Sequence, residues 1–170
     1  MSNTTLVAVL TVGVMGAGGS LLSFGNEAAT ATVARYIPGA RVSLQEGLKA
    51  AETAGQPISG KFEVDNGQLQ LCVYTHKDGT FTENIVDEST GKVAKSEPIS
   101  QGNELADAQK QLEAYSKSKT SLRTAVSQAE LAYPGYHAVS VTPAISKGRP
   151  VAVVSLLQGH QSRTIAEPLE

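Results

Sequence analysis

One cysteine, no tryptophan and three histidines leave this 170-residue chain short of the side chains that most protein chemistry uses. A lone Cys72 rules out an intramolecular disulfide and any multi-cysteine zinc site. His76, His137 and His160 are far apart, and none has a second ligand at helical spacing, so the sequence announces no metal centre. An excess of positive charge is missing too. Fourteen Lys and Arg face sixteen Asp and Glu, a net charge of −2, which leaves nothing to drive nucleic-acid binding through counterion release. Gly-x-Ser-x-Gly, phosphate-loop, His-Glu-x-x-His and Cys-x-x-Cys motifs are all absent. Glu83, Asp87 and Glu88 are carboxylates near one loop with no base beside them, which fits turn formation better than acid–base work. The expectation is a protein that is not an enzyme and needs no cofactor or metal.

Charge is absent altogether from residues 1–26, where Leu6, Val7, Val9, Leu10, Val12, Val14, Leu21, Leu22 and Phe24 make an apolar run. A helix over residues 4–25 is long enough to cross a bilayer core of about 30 Å at 1.5 Å per residue. Two readings compete. A secretory signal would be cut at the small residues Ala29-Thr30-Ala31 or Thr32-Val33-Ala34, but no Lys or Arg precedes the run. A retained anchor explains the glycines, since Gly13, Gly16 and Gly19 would let the helix pack closely on other membrane helices. The segment is read as an anchor, with residues 27–41 as a linker.

Beyond the linker the pattern changes. Ser43 and Glu46 form a capping box, Leu44, Leu48 and Ala51 make a helical stripe, and Gly55 with Pro57 ends it. Alternating strands follow at about 60–65, 68–75, 80–86 and 92–95, joined by Asp65-Asn66-Gly67 and Lys77-Asp78-Gly79. Period-two alternation places Leu69, Leu71 and Val73 on one face and Gln70, Cys72 and Tyr74 on the other. Val-Asp-Glu-Ser-Thr-Gly-Lys-Val, residues 86–93, closes the series as a hairpin whose turn uses Asp87 and Gly91.

The order then recurs. Ser43 to Glu52 lies on Ser121 to Glu130 without a gap at a spacing of 78 residues, and strands follow again through Val139, Val141, Val151 and Val153. The second copy lacks the Asp-x-x-Thr-Gly ending. A helix with Leu105, Ala108, Leu112 and Tyr115 on one stripe joins the two. Residues 151–157 are apolar on both faces, a hint of packing against a second body.

Amphipathic helix, three strands and Asp-x-x-Thr-Gly-Lys-Val in that order resemble the PepSY domain, an extracytoplasmic module first recognised in metallopeptidase propeptides. The resemblance implies an α+β fold of two PepSY-like units, each a helix packed on a curved antiparallel sheet, preceded by the N-terminal apolar helix. Unit one would span 42–99, a linking helix 100–119 and a degenerate unit two 120–170. It also implies binding to another protein, with Gln70, Cys72, Tyr74, Asp87 and Lys92 as candidate contacts and the domain on the extracytoplasmic side of the cell membrane. A single-span accessory subunit of a membrane complex and a secreted peptidase inhibitor are the alternatives.

Overall fold

The computed structural model describes residues 27–170. The apolar segment, and with it Gly13, Gly16 and Gly19, lies outside them. No helix among the described residues is long and apolar enough to cross a membrane.

Strand-forming hairpins build about half of the described residues. Strands β1 (Gln56–Asp65), β2 (Gln68–Lys77), β3 (Thr80–Val86) and β4 (Val93–Ile99) come first, and β5 (His137–Ser146), β6 (Arg149–Gln158) and β7 (Gln161–Pro168) come last. Two-residue turns make four of the links. Asn66-Gly67, Asp78-Gly79 and Lys147-Gly148 have positive φ at both positions and Gly159-His160 at its glycine, the twist that matches neighbouring strands. The helices are α1 (Glu27–Tyr36), α2 (Leu44–Ala51), α3 (Gly102–Ser116) and α4 (Leu122–Ala132). Both α2 and α4 start on a serine whose hydroxyl accepts an amide three residues on, from Glu46 and Thr124 respectively, and α2 completes the capping box.

The expectation of two units, each with its own sheet, is overturned. All seven strands form a single antiparallel sheet in the order β4-β3-β2-β1-β5-β6-β7. The first strand of each series pairs with the other at the centre, Gly60 opposite Val141 and Lys61 opposite Ser140. Neither series covers its first strand's edge alone, and this short pairing joins the two edges at the middle of the sheet. The cores merge as well: Leu44, Leu48 and Leu71 share one buried cluster with Leu122, Val126, Val141, Val154 and Leu156. Across the top of that cluster Gln45 Nε2 donates to Glu130 Oε2 at 2.6 Å, tying α2 to α4.

Residues 27–41, read as a linker, begin with the helix Glu27–Tyr36 and continue in a short 3-10 turn, Ile37–Gly39. The Ala-rich stretch has the propensity for it, and Val33 and Ala34 bury against the main core. Helix α3 takes the opposite side of the sheet. A Cβ on Gly60 would point at Leu44 and Leu48 of α2, whereas the adjacent Ser59 donates to Gln111 of α3 at 2.6 Å. Alternation therefore separates the α2/α4 face from the α3 face. A bulge between Pro57 and Ser59 turns Ile58 to the α3 side as well, where it is buried with Phe81, Ile99 and Ala108.

Candidate functional site

The α3 face of the first hairpins carries an unusual set of polar groups. Every second residue of β1, β2 and β3 points there, which gathers Lys61 and Glu63, Cys72 and Tyr74, and Glu83. Lys61 Nζ lies 2.6 Å from Glu63 Oε2, and the other oxygen of Glu63 accepts the Cys72 thiol at 3.2 Å. Tyr74 donates its hydroxyl to Glu83 at 2.8 Å, with Lys61 Nζ 5.8 Å from the centre of its ring. Helix α3 adds Glu104 from above, one of whose oxygens, Oε1, is buried without a hydrogen-bond partner.

Electrostatics set the protonation of this network. Burial, then the charges of Glu63 and Glu83, push the Cys72 thiol far above its usual range. The Tyr74 hydroxyl rises for the same first reason, with Glu83 next. Glu63, Cys72 and Glu83 bring their ligand atoms within 4.8 Å of one another, the span of a cation's shell. The donor set suits a hydrogen-bonded network better. A metal would need the thiolate that this site suppresses, and would have to displace Lys61 from Glu63.

A groove lies beside this network. About 600 Å³ in volume, it follows the short seam between β1 and β5 and is lined by Val33 of α1, Lys61 and Tyr74, Gln111 of α3, and Thr142 and Ala144 of β5. The apolar residues 151–157 end in the same place. Ala152, Val154 and Leu156 are buried against α4, while Val151, Val153 and Ser155 stay half-buried on the α3 face. Both faces were expected to be covered, and one is only partly so.

The candidate contacts scatter. Cys72 is fully buried and offers no atom to a partner, which removes it from the set. Gln70 is half-buried opposite Glu63, and only Tyr74 reaches the groove. Asp87 is occupied in the β3–β4 turn, where Oδ1 accepts the amides of Thr90 at 2.7 Å and Ser89 at 3.0 Å. Those bonds, Thr90's first, hold its carboxyl below the ordinary range. Gly91, at φ +70, lets the turn close against Val42, and Lys92 is exposed. The three histidines are not brought together: His76 stacks on Phe81 at 4.9 Å, while His137 and His160 are exposed on β5 and on the β6–β7 turn.

A thiol reagent reads the network directly. Full-length protein at pH 8 should release almost no chromophore from an aromatic disulfide reagent, and one equivalent once denatured. Rapid native labelling would contradict the buried, hydrogen-bonded thiol.

No family model matches the chain, and no curated protein does either. Among solved structures, the crystal structure of a "putative lipoprotein" from Clostridium difficile aligns over 72% of this chain and 80% of its own, at 12% identity and a TM-score of 0.40.

Proposed function

We propose that the chain is a non-enzymatic, extracytoplasmic protein-binding module of the PepSY kind, held at a membrane by residues 4–25, and that it engages its partner protein along the seam groove. The groove carries this reading. It combines aliphatic lining with hydroxyl, amide and charged groups of both signs, a mixture that suits an extended polar–apolar peptide segment of another protein. The half-covered face of β6 continues it with Val151 and Val153. Of the two signal-cleavage sites, the one after Ala34 is disfavoured, because cutting there would strip Val33 and Ala34, each 6% exposed, out of the core, whereas a cut after Ala31 would leave both in place.

Two measurements on the full chain test this. Membrane and soluble fractions of the native cell are assayed by intact mass, and full-length protein in the membrane is expected. A soluble chain starting near Thr32 or Arg35 would sink the anchor and favour a secreted inhibitor. A partner that co-purifies with the wild type should then be lost, by about tenfold or more in affinity, from the double variant Thr142→Arg, Ala144→Arg. The reading is overturned if that variant binds normally while Lys92→Glu, on the β3–β4 turn, does not.

A further inference from the structure

Helix α3 is anchored unevenly. Its middle is held by Ala108 among Ile58, Phe81 and Ile99, and by the bond from Ser59 to Gln111. At its beginning Leu105 packs on the same cluster, but the polar groups there are left unmatched: the residue at the helix start, Gln101, makes no side-chain cap, and Glu104 in the first turn buries an oxygen that nothing bonds. The groups facing Glu104 are mostly of its own sign. Glu83 of β3, Glu63 of β1 and Glu97 of β4 oppose it, and the two cations of this face are already engaged, Lys61 by Glu63 and Lys95 of β4 by Glu97 at 2.9 Å. Tyr74 of β2 stands among them with its hydroxyl given to Glu83, and Cys72 with its thiol given to Glu63. From β5 come only the hydroxyls of Ser140 and Thr142. On α3 itself Asp107 pairs with Lys110 at 3.5 Å, so neither is available to Glu104.

We propose that the first turns of α3 form a pH-sensitive cover over the groove: a protonated Glu104 seats the helix on the sheet, and an ionised Glu104 drives it off the carboxylates of Glu63, Glu83 and Glu97. The device belongs to the chain alone and does not depend on what the groove takes. Glu104, Asp107 and Gln111 all line the groove, so lifting this end widens its mouth. An ionised Glu104 also suits the positive end of its own helix, so the cover leaves the sheet without first unwinding. Once undocked, a 15-residue helix is marginal in water and its amides exchange.

Burial, then the charge of Glu83, holds the Glu104 carboxyl above its ordinary range. The native state therefore binds this proton more tightly than the unfolded chain does. Seating is complete below the unfolded carboxyl's range and is lost as pH rises through the raised, folded value.

Hydrogen exchange of the full-length chain at pH 5 and pH 8, corrected for intrinsic rates, tests the cover. Protection of the amides of residues 105–108, the first that bond within the helix, should fall about tenfold for each unit by which the folded value exceeds the unfolded one, while α4 (Leu122–Ala132) stays unchanged. Glu104→Gln, which cannot ionise, should hold the pH 5 level of protection at pH 8. Glu83→Gln keeps an acceptor for Tyr74 and should make the fall at pH 8 smaller, because the nearest charge opposing an ionised, seated Glu104 is then gone. Equal protection at both pH values overturns the proposal. So does a fall that Glu104→Gln shares, or one that extends equally to α4.

Discussion

Leu48→Ala should lower the stability of the whole described fold by about 3 kcal/mol and shift its melting temperature by roughly 6–12 °C, in a single transition. Leu48 is fully buried on α2 and meets the central strand where Gly60 leaves room for it, 3.2 Å from the position a Cβ would take. The cavity left behind would open in a cluster that also holds Leu122 and Val126 of α4 and Val141 of β5. Backbone on both sides of it belongs to a continuous sheet, which limits how far the surroundings can collapse. Calorimetry decides the matter. Equal calorimetric and van't Hoff enthalpies in wild type and variant are expected. Two separable transitions, with only the first displaced, would mean that the halves fold independently despite the β1–β5 pairing.

A second large loss is expected at Asn84, which is fully buried where β2, β3 and β4 meet. Its Nδ2 donates to the Val73 carbonyl at 3.1 Å and to Thr75 Oγ1 at 3.0 Å, with the Thr82 carbonyl at 3.4 Å, and its Oδ1 accepts from Ser96 at 2.7 Å. Asn84→Asp keeps the shape and removes the donors. The introduced carboxylate would face two carbonyl oxygens with no cation near, a cost of roughly 3–5 kcal/mol. The sign of its pH dependence follows. Such a carboxyl has a folded-state pKa raised above its unfolded value of about 3.9, so the deficit fades as pH falls toward that value and grows as pH rises. Urea denaturation at pH 4 and pH 7 should therefore show a larger deficit at pH 7. The same deficit at both would mean that water or a backbone shift relieves the charge.

Local chemistry was legible in the sequence and long-range pairing was not. Ser43 and Ser121 announce their helices because a capping hydroxyl acts within three residues. Asn66-Gly67 and Asp78-Gly79 announce their turns because only a few residues tolerate positive φ twice in succession. Nothing in residues 56–65 or 137–146 says that these two strands lie side by side, since strand pairing over some 80 positions leaves no periodic trace. The carboxylate network was hidden for a related reason. Lys61, Glu63, Cys72, Tyr74 and Glu83 sit on three strands and converge only in register, with Glu104 arriving from a helix. A signal did exist. Polar residues on one face of three consecutive strands, followed by a helix with its own apolar stripe, mark a sheet face that is covered yet not oily. Residues 29–36 misled because alanines and threonines read equally well as a spacer, and only the burial of Val33 and Ala34 commits them to a helix.

An open sheet has two rims, and here both are unfriendly to a visiting strand. Strand β4 carries Pro98, which has no amide hydrogen to offer, and the exposed ion pair of Lys95 with Glu97 at 2.9 Å. Strand β7 ends in Pro168 and presents Ser162, Arg163 and Thr164 to water. Proline and charge at an edge discourage the chain-to-chain ladder that exposed backbone otherwise invites. Recognition by lengthening the sheet is thereby discouraged at either end, and self-stacking into ribbons with it. Whatever this protein meets is steered to read side chains from above the sheet instead of extending its hydrogen bonds.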